Sequence, residues 1–118
     1  MSRSVLLQLA RDSIEEVFHA QRSIDKNALL QEHPLLNEKI STTINLFINK
    51  ELKGSFTSNN VQNSLLSNII LCAKKAAFES KPTQTLKTSE YPHCDIELLL
   101  DTPDGQLSEI DPAILQLR

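Results

Sequence analysis

The hydrophobic period of this chain alternates between that of a helix and that of a strand, and the order of that alternation limits the fold more than any other feature. From Ser4 to about Ala20, Leu6, Leu7, Ala10, Ile14, Val17 and Phe18 recur at three- and four-residue spacings, which puts them on one helical face. "STTINLFIN", Ser41 to Asn49, then crowds β-branched and aromatic residues together, as a strand favours. From about Val61 to Ser80 the helical period returns. Val61, Leu65, Ile69, Ala73 and Ala76 make one stripe, with Leu66, Ile70 and Ala77 beside it. In "HCDIELLLDTP", Ile96, Leu98 and Leu100 alternate with Glu97, Leu99 and Asp101, so the period is two again.

Smaller elements fill the gaps. "SIDKNALLQEHP" reads as a short helix, capped by Asp25, packed through Leu29 and Leu30 and ended by Pro34. "NKE" turns the chain, and "LKGSFT", Leu52 to Thr57, returns as the second strand of a hairpin. Gly54 within it marks a bulge or a close approach to the backbone. "SNN" at 58–60 supplies capping side chains for the next helix, and "LSEIDPAILQLR" reads as a last strand or a short helical turn. The order lacks the regular βαβ alternation of a parallel sheet. It predicts an α+β fold, an antiparallel β-sheet packed with two longer α-helices and a short helix, as a single domain over residues 1–118.

Charge and composition narrow the function. The formal net charge is −3, and Lys74, Lys75, Lys81 and Lys87 make only a modest cluster, so nucleic acid is not the expected partner. No apolar run approaches the ~20 residues of a membrane-spanning helix. "MSRSVLLQLARDS" is broken by Gln8, Arg11 and Asp12, unlike a secretory signal. The expected compartment is therefore the cytoplasm, with Cys72 and Cys94 as reduced thiols. Arg11 and Glu15 lie four apart and are expected to pair on the wet side of the first helix, beside Asp12 and Glu16.

Several stretches, taken in order, resemble the AMMECR-one domain family. Its signature region reads as a strand "FVTL", a charged hairpin, "LRGCIG", a helix ending "AxAAF", then "RFPP" and a strand like "IEISVLSPP". This chain has "TINL" at Thr43–Leu46, "LKGSFT", "AKKAAFESKPT" from Ala73 to Thr83 and "DIELLLDTP" from Asp95 to Pro103. "LLQLARDSIEEVF" resembles the family's first helix. Against "LRGCIG", arginine is replaced by Lys53, cysteine by Ser55 and the last glycine by Thr57. A serine hydroxyl is a far weaker nucleophile than a thiolate, and lysine lacks arginine's planar fork. The resemblance implies an α+β fold of two unequal subdomains, of which this chain lacks the C-terminal part. It implies association with Memo-like and radical-SAM proteins in a modification system, or a regulatory and interaction role.

The residues themselves offer two readings of the hairpin. Lys53, Gly54 and Ser55, with Asn59 nearby, can contact a ligand or partner, or they can form an ordinary strand edge. An accessory enzyme built on the Lys53–Gly54–Ser55 turn would need a base for Ser55, and His19, His33 and His93 are the candidates. The expectation is a binding or accessory module without catalysis. No metal site is expected: His93 and Cys94 are adjacent, and Cys72 reads as a small buried hydrophobe. Asp95 and Glu97 read as a solvated strand face, and two glycines are too few for a nucleotide-binding loop, so no cofactor is expected. A homodimer or a protein partner would cover the remaining sheet edge or face. Leu99, Ile114, Leu115 and Leu117 are the candidate interface residues.

Overall fold

A computed structural model of the chain describes residues 4–20, 24–58, 63–79, 86–102 and 105–111. Helix α1 runs Val5–His19, α2 Lys26–Glu32 and α3 Leu65–Phe78. Strands β1 (Ser41–Ile48), β2 (Glu51–Ser58), β3 (Cys94–Thr102) and β4 (Gly105–Asp111) form one antiparallel sheet in the order β2-β1-β3-β4. The fold class is thus the α+β class read from the sequence. The chain end left open between strand and helical turn, "LSEID", is a strand. β2 and β3 run the same way with β1 between them, and the connection from one to the other passes through α3, a split βαβ unit.

Local chemistry sets the element ends. Ser4 accepts the Leu7 N–H at 3.2 Å and Asp25 accepts the Ala28 N–H at 3.1 Å, each satisfying an orphan donor of a first turn. Asn49 and Lys50 both have positive φ, 53° and 67°, the two-residue turn whose twist suits a hairpin. Gly105 opens β4 at φ 128°, a conformation that side-chain-bearing residues rarely adopt. α3 begins later than its apolar period suggests. Its cap is Ser64, which accepts the Ser67 N–H at 3.3 Å, while Ser58 still belongs to β2 and residues 59–62 fall outside the described residues.

The core lies between the helices and one face of the sheet. Thr42, Ile44 and Leu46 of β1 and Cys94, Ile96, Leu98 and Leu100 of β3 are buried on that face, and α3, with Leu65, Ile69, Cys72, Ala73 and Ala76 buried, packs on β1 and β2. Ile14, Leu36, Ile44 and Ile69 are wholly inaccessible to water. Asn68 of α3 is buried too, but both ends of its amide are used. It donates to the Ile40 carbonyl at 2.9 Å and accepts from the Ser58 hydroxyl at 3.0 Å, tying α3 to the start of β1 and the end of β2.

The first helix is rotated from its expected setting. Val17, placed on the apolar face by spacing, is exposed, whereas Leu9, Arg11 and Ser13 are buried. Arg11 does not pair with Glu15 on a wet face. Its side chain is 0% exposed, and its Nε donates to the Asp111 carboxylate at the end of β4. Nη2 donates to the Cys94 carbonyl at 2.9 Å, and the guanidinium lies 5.3 Å from the Tyr91 ring centroid. Glu15 instead accepts the Tyr91 hydroxyl at 2.6 Å, and Glu16 accepts both Lys74 Nζ and the Ile24 N–H, at 3.1 and 3.0 Å. Phe18 closes this corner with edge-on contacts to Phe78 and Tyr91, at 5.4 and 5.6 Å between centroids.

Candidate functional site

Alternation along the strands fixes what the second face of the sheet carries. Among the described residues the helices pack on the first face, and Thr43, Asn45, Phe47, Ser55, Glu97, Leu99, Ser108 and Ile110 lie on the other. Register sets these side chains in rows. Ser55, Asn45, Glu97 and Ile110 form one, and Thr57, Thr43, Leu99 and Ser108 the next. Rows of directly opposed side chains are the unit in which a sheet face interacts, within itself or with a partner.

The first row is linked by hydrogen bonds. Ser55 Oγ donates to Asn45 Oδ1 at 2.5 Å, and Asn45 Nδ2 donates to Glu97 Oε1 at 2.9 Å. The amide nitrogen thus faces the carboxylate and the amide oxygen faces the serine, so each meets a complementary group. The serine proton is thereby held by an amide oxygen, which cannot remove it. His93 precedes Cys94, whose register partner is Ile48, three positions along β1 from the serine's row. His19 ends α1, on the helical side of the sheet. The hydroxyl is therefore one member of a polar row, hydrogen-bonded to Asn45.

Lys53 has a different role. Leu46 pairs with Gly54, but Phe47 pairs with Leu52, so Lys53 is the extra residue of a β-bulge. The bulge expected at Gly54 is therefore one residue earlier, and Gly54 itself is buried opposite Leu46. Lys53 Nζ lies 3.3 Å from Glu90 Oε2, and the other carboxylate oxygen accepts the Lys87 N–H at 3.0 Å. Burial pushes the Glu90 carboxyl up, but the Lys87 N–H together with the Lys53 bond and charge outweighs it, and the net shift is down. Lys53 and Ser55 thus meet separate partners, Glu90 and Asn45. Asn59, Ile114, Leu115 and Leu117 lie outside the described residues. Leu99 is half-buried on the open face, between Thr43 and Ser108.

The other candidate groups resolve simply. Cys72 and Cys94 are free and buried, and burial pushes both thiols up to about 11. At pH 8 only about a thousandth of each would be thiolate, the reactive form. We expect a thiol reagent at that pH to label neither cysteine in the folded protein and both in urea; fast labelling of the native state would contradict this burial. Burial, then the bond to Glu15, also pushes the Tyr91 phenol up, so it stays a donor. Among the described residues no group of three or more His, Cys, Asp and Glu could hold a metal, and no helix is long and apolar enough to cross a membrane. Two lysines of the expected cluster are paired, Lys74 with Glu16 and Lys75 with Glu79, and Lys75 also lies 5.7 Å from the Phe56 ring centroid. A surface groove of about 710 Å³ between α1, α2 and α3 is lined by residues including Glu16, Ile24, Lys26, Ile70 and Lys74, none of them from the hairpin.

Sequence reasoning missed the buried Arg11–Asp111–Tyr91 cluster. The signal was present: Arg11 lies four residues after Leu7 and three before Ile14, within the apolar stripe.

Comparison with solved structures gives a close match in fold to the crystal structure of the uncharacterised protein PH0010 from Pyrococcus horikoshii. The TM-score is 0.73 at 23% identity, over 83% of this chain and 50% of that one. This chain thus spans half the length of that protein. No curated protein matches the sequence. The AMMECR1 family model matches residues 7–114, most of the chain and every strand described above, and the chain belongs to the AMMECR1 family.

Proposed function

We propose that this chain is a cytoplasmic, non-catalytic binding or accessory module of the AMMECR1 type, and that it meets a protein partner with the open face of its sheet. The observation that carries this reading is the one-sided packing. Among the described residues the helices cover one face, while the other carries Phe47, Leu99 and Ile110 among Thr43, Ser55 and Glu97. A mixed surface of that kind suits a partner with both apolar and hydrogen-bonding groups. The signature positions support the same reading. Ser55 and Lys53 stand where the family pattern resembled by this chain has cysteine and arginine, and Asn45 and Glu90 engage them. By family association, Memo-like and radical-SAM proteins are the partners to try first.

A photo-crosslinking side chain placed at Leu99 in cells tests this. It should join the chain to one protein, whereas the same group at Leu35, on the turn beside α2, should not. Equal labelling from both positions would remove the open face as the docking surface. A purified protein that turns over a substrate, and loses that activity in Ser55→Ala, would replace the binding role by the accessory-enzyme reading.

A further inference from the structure

The two edges of the sheet differ in how they resist pairing. β2 carries a bulge at Lys53, and a bulge and a lysine are both devices that blunt an edge. β4 carries neither. Its register with β3 runs unbroken from Gly105 to Asp111, and residues 105–111 contain no Lys, Arg or Pro. Five of the seven β4 residues are exposed, among them Leu107 at 59% and Ile110 at 63%, the two most exposed large apolar side chains described. They lie on opposite faces of the strand, so apolar surface brackets a backbone edge on both sides.

The order of charges on β4 also suits one particular partner. If two copies of β4 meet antiparallel about a two-fold axis at Ser108, Leu107 stands opposite Glu109, Gln106 opposite Ile110 and Gly105 opposite Asp111. All seven residues overlap, and neither carboxylate faces another. Shifting the axis to Glu109 sets that carboxylate against its own copy, and shifting it to Ile110 sets Glu109 against Asp111. Like charges directly opposite are destabilising, so the Ser108 register is the self-complementary one that uses the whole strand.

We infer that β4 is a homodimerisation edge, pairing with β4 of a second copy to extend the four-stranded sheet into a continuous eight-stranded one. The two-fold axis stands perpendicular to the sheet. Both helical layers then fall on one side and the two open faces join on the other. The inference uses the strand's backbone edge and does not rest on the binding role proposed above.

Sedimentation of the full chain, from low micromolar to several hundred micromolar, tests it. The weight-average mass should climb towards about two-fold that of the chain. Ser108→Glu and Ser108→Lys, each checked for unchanged circular dichroism, should both stay monomeric, because each sets like charges on the axis. An equimolar mixture of the two should dimerise again. Leu35→Lys, at an exposed leucine away from β4, should dimerise like the unaltered chain. A chain that is monomeric throughout overturns the inference, including the case in which β4 receives an extended segment of another protein. So does a dimer that survives both Ser108 variants, and so does a mixture that stays monomeric.

Discussion

Arg11→Met should cost about 3–5 kcal/mol of folding stability, the usual loss when one member of a buried ion pair is removed. The substitution keeps most of the side-chain volume but leaves three groups without their cation. The Asp111 carboxylate, 8% exposed, would lose the guanidinium that Arg11 holds against it. The Cys94 carbonyl would lose the donor at 2.9 Å, and the Tyr91 ring would lose the guanidinium beside it. Against a total stability of ~5–15 kcal/mol for a small domain, that is a large fraction. Urea unfolding followed by circular dichroism measures it through the midpoint. Adding Asp111→Leu to Arg11→Met should recover most of the loss, since a buried pair replaced by apolar groups is often neutral or better. A single variant within about 1 kcal/mol of the unaltered chain would mean that water reaches this corner and screens the pair.

Ile69→Ala should cost about 2–5 kcal/mol, because a wholly buried aliphatic side chain leaves both a transfer loss and a cavity. Ile69 lies in the middle of α3, the helix that packs on both β1 and β2, and it is 0% exposed. The neighbouring Ile70 is half-buried and lines the groove beside Lys74, so Ile70→Ala should cost well under half as much. Measuring the two side by side separates core burial from helix propensity, since both replace isoleucine by alanine in one helix. Equal losses would show that α3 is set differently on the sheet.

Periodicity was enough to place the main elements, because burial in this fold follows it closely. The alternation of Ile96, Leu98 and Leu100 is the burial pattern of β3, and the stripe through Leu65, Ile69, Ala73 and Ala76 is the buried side of α3. Where the reading failed, long-range pairing had overridden local pattern. Arg11 looked like a solvated cation beside Glu15, because the residue that neutralises it lies 100 positions away. Ser64 caps α3, whereas strand pairing holds Ser58 against Thr42 in the sheet. The hairpin was legible as a hairpin and as a family signature. What its side chains touch was not, since Asn45, Glu97 and Glu90 reach Ser55 and Lys53 only once the register and the bulge are set.

The contact between Arg11 and Asp111 also orders events in time. It closes a loop of 100 residues, a search whose entropic cost is met only after nearer contacts have shortened it. The two-residue turn between β1 and β2 closes a hairpin, an event on the ~1–10 μs scale. On a growing chain α1 emerges first, carrying a cation in the middle of its apolar stripe, and the carboxylate that neutralises it is made a hundred residues later. Among the described elements β4 is thus made last, and it brings the carboxylate that pairs with Arg11 of α1.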